Sequence, residues 1–319
     1  MIKTLGMLAM AALLVILLVA AGLMVYHNKA LREEAALYPP PGQLVQVNNR
    51  KVHVYGEGQG EVTLVFMAGH GTMSPVLDFK PLWSKLEDEH RVVVVERPGY
   101  GWSDVSNSPK DMYTLLHGTR EALQLFGGTG PYILFPHSMS GLEALYWAQQ
   151  YPDEVKAIVG LDPVIPESVE AMDNLPKTGL YFMYALARTG LTRFMPEADI
   201  GQQLPLMATD GLTDVDKETY MALFYRSAFT KDMLREVGSL KDNAKTVATN
   251  LVPQDVPMYF FISSEQEKAA PGWKQALNDY ITQIVTGKTM ELDTGHYLHY
   301  EQGEVIVEEV RKFMQEIDR

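Results

Sequence analysis

The stretch Pro136-His137-Ser138-Met139-Ser140-Gly141 constrains this chain more than any other. It follows a short apolar run, Tyr132-Ile133-Leu134-Phe135, and precedes a helix-like run, Leu142-Glu143-Ala144-Leu145-Tyr146-Trp147-Ala148. Strand, tight turn with serine, then helix is the setting of a nucleophile elbow. The turn lifts the hydroxyl clear of the sheet, and the helix N-terminus behind it offers N–H groups to a developing negative charge. The usual pattern is G-x-S-x-G, and Pro136 and Ser140 replace its glycines. The competing reading of these six residues is a buried serine in an ordinary strand-to-helix turn. The rest of the chain has to decide.

From residue 44 onward, elements alternate. Leu44–Val47 and Lys51–Tyr55 flank Asn48-Asn49, a hairpin turn signal. Thr63–Met67 reads as a buried strand, Asp78–Leu86 as a helix, Arg91–Glu96 as a strand and Asp111–Phe126 as a helix. The strand before Ser138 and the helix after it come next, then a strand at Val155–Leu161. Continuous apolar strands alternating with helices predict an α/β fold, with a mostly parallel central sheet and helices on both faces. From about 164 to 250 the pattern is helical only. Strands return at Met258–Ile262 and Lys288–Leu292, and a last helix is expected from about Glu304 to Ile317. A helical cap is therefore inserted between two strands of one sheet. It carries six of the 17 methionines and many aromatics, including Tyr181, Phe182, Phe194, Tyr220 and Phe224. Apolar faces packed on a sheet explain most of that composition; an apolar substrate pocket is the functional alternative.

The N-terminus is a second strong feature. Thr4 to Tyr26 carries no charge. As a helix it is roughly 34 Å long, enough to cross a ~30 Å hydrocarbon core. A cleaved signal peptide with Val19-Ala20-Ala21 as its cleavage site is the rival, but the apolar run continues to Val25 and favours a transmembrane anchor over residues 1–27. Residues 28–43, ending in Pro39-Pro40-Pro41-Gly42, read as a linker, and 44–319 as the α/β domain. The expected location is the cell membrane, single-pass, with the domain outside the cytoplasm; flanking charges determine that side weakly.

Composition excludes several classes. The formal net charge is −13, against a nucleic-acid partner and against tight docking on an anionic surface. There is no cysteine, which removes disulfides, thiolate zinc sites and cysteine nucleophiles.

A serine nucleophile needs a base and a group that orients the base. His296, in Leu292-Asp293-Thr294-Gly295-His296-Tyr297, follows the last strand and so emerges on the edge that carries Ser138. His299 is close by but begins a helical pattern; His53, His90, His117 and His137 have structural readings. An oxyanion hole requires two backbone N–H groups. Met139, after the nucleophile, supplies one; the loop Ala68-Gly69-His70-Gly71-Thr72 supplies the other, from His70 in preference to Thr72. Two carboxylates have the right topology for the acid: Asp162, directly after the Val155–Leu161 strand, and Glu265, three residues after Met258–Ile262. Asp162 leads because it is nearer a rigid strand end, although it serves equally well as a cap.

These segments together resemble the α/β-hydrolase family from the hairpin to the last helix. The resemblance rests on Gly69-His70-Gly71, on Glu96-Arg97-Pro98-Gly99-Tyr100-Gly101-Trp102-Ser103, on the elbow, on Tyr151-Pro152-Asp153-Glu154-Val155, on the cap and on Thr294-Gly295-His296. It implies nucleophile, acid and histidine in that order, which Ser138, Asp162 or Glu265, and His296 satisfy. The family's usual acid position aligns best with Gln266. The expected function is a membrane-anchored serine hydrolase acting on a small, apolar ester or related acyl substrate through an acyl-enzyme, with no metal or organic cofactor. The rivals are an aminopeptidase resembling proline iminopeptidases, with Glu197, Asp199, Asp214 and Asp216 available to hold an ammonium, and a catalytically silent binding domain.

Overall fold

The computed structural model describes residues 2–172, 177–196, 199–201 and 204–319. Eight strands form one sheet in the order β1-β2-β4-β3-β5-β6-β7-β8. They are β1 (Gln43–Val47), β2 (Arg50–Glu57), β3 (Thr63–Met67), β4 (Arg91–Glu96), β5 (Tyr132–Pro136), β6 (Val155–Leu161), β7 (Met258–Ser263) and β8 (Gly287–Leu292). β1 and β2 run antiparallel to each other, and β2 antiparallel to β4; every other pairing is parallel. Asn48 and Asn49 both take positive φ, 48° and 59°, as a two-residue hairpin turn that follows strand twist requires.

Alternation along the central strands divides the core into two layers. Val65, Val93 and Leu134 face one side with residues of α4 (Met112–Leu125), α5 (Ser140–Gln150) and α10 (Trp273–Ile281). Leu64, Phe66, Val92, Val94 and Phe135 face the other side with Phe79, Leu82 and α12 (Gly303–Ile317). Ile306, Val307, Val310, Phe313 and Met314 of α12 recur at helical spacing and are all buried there. The remaining helices are α1 (Ile2–Leu37), α2 (Pro75–Asp78), α3 (Lys80–Trp83), α6 (Lys177–Thr189), α7 (Asp214–Ser227), α8 (Lys231–Ala248), α9 (Gln266–Ala269) and α11 (Leu298–Glu301). The described residues between β6 and β7 contain helices and no strand. Thr213 and Asp216 form a capping box on α7, and Thr230 caps α8.

Two expectations are corrected. The helix expected over Asp78–Leu86 is two short helices, α2 and α3. Ser74 caps the first, and Pro81 sits at the start of the second. The linker expected over 28–43 is helical as far as Leu37. Residues 29–37, Lys-Ala-Leu-Arg-Glu-Glu-Ala-Ala-Leu, are strong helix formers, and no breaker occurs before Pro39. In this part of α1, Glu34 pairs with Arg193, and Leu31 and Ala35 lie beside Ala222, Leu223 and Arg226 of α7, so it is not a free connector.

Candidate active site

The elbow is built as its sequence suggests. β5 ends at Pro136 and α5 begins at Ser140, with Ser138 between them at φ 53°. A left-handed serine is a strained conformation and aims the side chain out of the turn. The turn is fastened from several directions: His137 N–H donates to Met67 O at 3.0 Å, and Val164 N–H donates to Ser138 O at 2.8 Å. Ser140 is fully buried, and its hydroxyl donates to Met67 O at 2.7 Å or to His137 O at 2.8 Å. The serine that replaces a glycine thus ties the elbow to the end of β3. The close helix–strand approach falls one residue later, where a Cβ on Gly141 would meet Val164 O at 2.4 Å. The loop after β3 presses on the elbow from the other side. A Cβ on Gly69 would lie 2.7 Å from Ser138 Cβ, so only glycine fits. Buried Arg97 holds that loop by donating to Ala68 O at 2.8 Å and to Glu143 at 3.1 Å. Among the described residues, neither Met139 N–H nor His70 N–H is donated to another protein group.

His296 emerges after β8 and is half-buried. Its Nδ1 lies 2.7 Å from Asp162 Oδ2. With the proton on Nδ1, Nε2 is left as an acceptor. His137 packs against His296 with ring centroids 4.7 Å apart and lies 3.1 Å through Nε2 from His296 O. Burial and the neighbouring His296 push the His137 imidazole down to about 3, so it is neutral and serves packing. His299 is buried against His137, 5.1 Å between centroids, and burial holds it neutral as well. Burial likewise lowers His70.

The two candidate acids separate clearly. Asp162 is fully buried at φ 49°, immediately after β6. Besides His296, its carboxylate accepts from Ser263 Oγ at 2.5 Å, Ser263 N–H at 3.2 Å and Trp273 Nε1 at 2.8 Å. Burial opposes its ionisation, but these donors and His296 outweigh burial and hold the carboxyl below its ordinary range. Glu265 is exposed and sits 3.9 Å from Lys268, with no hydrogen bond to His296. It stands instead at the start of α9, where its backbone N–H donates to Thr294 O at 3.3 Å and its carboxylate lies beside Gly295, outside the Asp162–His296 pair.

Sequence reading missed Ser263 and Trp273. Ser263 is recoverable in principle from strand register, since Leu161 pairs with Phe261 and so sets the end of β6 beside the end of β7. Trp273 reaches in from α10 and carries no local signal. Among the described residues, no group of three His, Asp or Glu side chains is arranged to hold a metal ion.

Comparison with known proteins bears on the family and the fold. Residues 63–196 match the family model described as alpha/beta hydrolase fold. Over 99% of this chain and 98% of the relative, the sequence is 34% identical to the uncharacterized protein YbdG of Bacillus subtilis. It is 27% identical to the 2-(acetamidomethylene)succinate hydrolase of Mesorhizobium japonicum over 41% of this chain and 46% of that one. The fold is similar to that of a thermophilic esterase from Thermogutta terrifontis, with TM-score 0.59 and 18% identity over 86% of this chain and 97% of that one. The match to that family model, which spans the strands and the serine-bearing turn at the centre of the mostly parallel sheet, makes this chain a member of the alpha/beta hydrolase fold superfamily.

Proposed function

We propose that this hydrolase cleaves an ester or related acyl bond through a serine acyl-enzyme, and that α1 anchors it in the cell membrane with its catalytic domain outside the cytoplasm. The observation that carries the chemistry is the 2.7 Å bond from His296 Nδ1 to a fully buried Asp162, on the sheet edge that also presents Ser138. Ser138 Oγ attacks the carbonyl carbon while His296 Nε2 takes its proton. Asp162 stays ionised, orients the ring and stabilises the imidazolium. The oxyanion formed on the substrate faces Met139 N–H and His70 N–H. The tetrahedral species collapses as His296 returns the proton to the leaving group. Water then attacks the acyl-enzyme by the same steps and frees Ser138.

The helical insertion serves as the cap. Its apolar residues Leu206, Tyr220 and Phe224 pack with Met73 and Leu77, which follow the oxyanion loop, and this favours an apolar acyl group. The aminopeptidase reading finds less support. Asp216 is occupied by Lys80 at 2.5 Å and by the cap of α7, Asp199 and Asp214 are exposed, and Glu197 lies outside the described residues.

Covalent labelling with a fluorophosphonate tests the proposal. Wild-type protein and Ser140→Ala should label, and Ser138→Ala should not. Full labelling of Ser138→Ala refutes the assignment of the nucleophile, and an unlabelled wild type supports a silent binding domain.

A further inference from the structure

The helix α1 does not end where its apolar run ends. The apolar stretch of α1, long enough to cross a membrane, is not buried in the protein, so among the described residues its apolar surface has no partner. At Tyr26 this changes abruptly. His27 is buried, and Gly190, at φ 81°, packs so tightly on it that a Cβ would meet His27 Cβ at 2.5 Å. Arg193 donates to His27 Nδ1 at 3.0 Å and grips both oxygens of Glu34 at 2.5 and 2.7 Å. Its guanidinium also lies 4.2 Å over the Tyr225 ring. One turn beyond Glu34, Tyr38 O accepts from Trp102 Nε1 at 3.0 Å, and Tyr38 OH donates to Glu218 at 3.1 Å. A bidentate, partly buried arginine pair and three further bonds hold residues 27–38 against the insertion on one side and against the core at Trp102 on the other.

The short helical turn Leu191–Phe194 lies beside this junction. While Arg193 points to the stem, Leu191 and Phe194 remain 42% and 63% exposed. The Phe194 ring is 6.4 Å from that of Tyr26, the last residue of the apolar run, and Tyr26 and Val25 are themselves 55% and 69% exposed. The exposed apolar side chains of the insertion are therefore continuous with the apolar surface of α1, at the depth where that surface gives way to charge. Aromatic side chains favour this level of a bilayer, where a flat apolar ring and a polar environment are both satisfied.

We propose that α1 is a rigid stem that seats the Leu191–Phe194 turn of the insertion in the interfacial layer of the lipid bilayer, so that the enzyme lies on the membrane instead of hanging from it on a tether. This rests on the reading of Thr4–Tyr26 as a membrane span. The seat is apolar, consistent with a chain of net charge −13 that gains nothing from anionic headgroups.

The absence of cysteine makes the test direct. Full-length protein carrying one nitroxide, at Leu14→Cys, Phe194→Cys or Val285→Cys, is reconstituted in phosphatidylcholine vesicles. Its collision with oxygen is compared with its collision with a water-soluble nickel chelate. Val285, 78% exposed between α10 and β8, reports water. The ratio of oxygen to nickel accessibility at 194 should approach that at 14 and exceed that at 285 several-fold. Inserting six Gly/Ser residues after Asn28, with fold checked by fluorophosphonate labelling, should bring the ratio at 194 down to that at 285. Residue 14 in lipid with 194 in water overturns the seat and leaves the anchor standing. Residue 14 in water overturns both. A ratio at 194 that survives the insertion unchanged overturns the rigid stem.

Discussion

Two aspartates near the same sheet edge are buried to the same depth, yet their carboxyl groups are pushed in opposite directions from the ordinary range. Asp162 follows β6 and is fully buried; Asp78 ends α2, beyond the loop that follows β3, and is 2% exposed. Each accepts hydrogen bonds from more than one element. Asp162 receives an indole N–H, a hydroxyl, a backbone N–H and the protonatable ring of His296, and its carboxyl is held below the ordinary range. Asp78 Oδ1 accepts from the hydroxyls of Tyr220 on α7 and Tyr300 on α11, and Oδ2 accepts from Ser74 N–H at 3.3 Å. Burial dominates there, the tyrosines and Ser74 offset only part of it, and the carboxyl is pushed up to about 7. Depth alone therefore does not set a carboxylate's charge. A partner that can itself become a cation does. One aspartate is paired with an ionisable ring; the other joins α7, α11 and the segment after the β3 loop through hydroxyls and a backbone N–H.

Removing the charge from Asp162 should have the largest effect. Asp162→Asn should lower kcat by ~10³–10⁴-fold with a much smaller change in KM, as expected when the imidazolium loses its stabiliser. It should also lower the melting temperature, since an amide NH₂ must face one of the donors from Ser263 or Trp273. Wild-type turnover in this variant would reduce the site to a Ser138–His296 dyad.

Asp78 sharpens the contrast through pH. The fold prefers its protonated form, while the unfolded chain releases that proton near the ordinary value of 3.8. Between about 4 and about 7 the native state therefore binds the extra proton, and this group's contribution to stability falls as pH rises across that window. Asp78→Asn keeps an acceptor for the tyrosines and removes the titration. Melting measured from pH 4 to pH 8 should show the variant gaining on the wild type as pH rises, by an amount on the order of a few kcal/mol at the alkaline end. A difference independent of pH would mean that Asp78 is ionised throughout.

Glu265 should give the smallest effect. Glu265→Gln removes an exposed charge whose nearest cation is 3.9 Å away, so kcat should stay within about twofold and stability within ~0.5 kcal/mol of wild type. A large loss of turnover would move the acid from the end of β6 to the loop after β7.

What the chain determined by itself is what short-range patterning can carry. Four consecutive valines at 92–95 can only be a buried strand, and β4 spans Arg91–Glu96. Tyr132–Phe135 followed by Pro136–Gly141 places Ser138 on a strand-to-helix turn because strand, turn and helix each need only their own residues. Thr294-Gly295-His296 is set at the edge of the sheet by the strand before it. The choice between Asp162 and Glu265 was beyond such patterning. Both follow strands, and what separates them is Ser263 and Trp273, more than 100 positions from Asp162 in the chain and brought to it only when β7 pairs with β6 and α10 packs alongside. The stem was hidden in the same way. Residues 28–37 carry no signal that distinguishes a solvated helix from a docked one, and Arg193, which decides the matter, is 159 residues from Glu34. Local propensity sets which elements form. The partners of a buried charge are set by which distant side chains the packed fold delivers, because only a paired charge can be taken out of water.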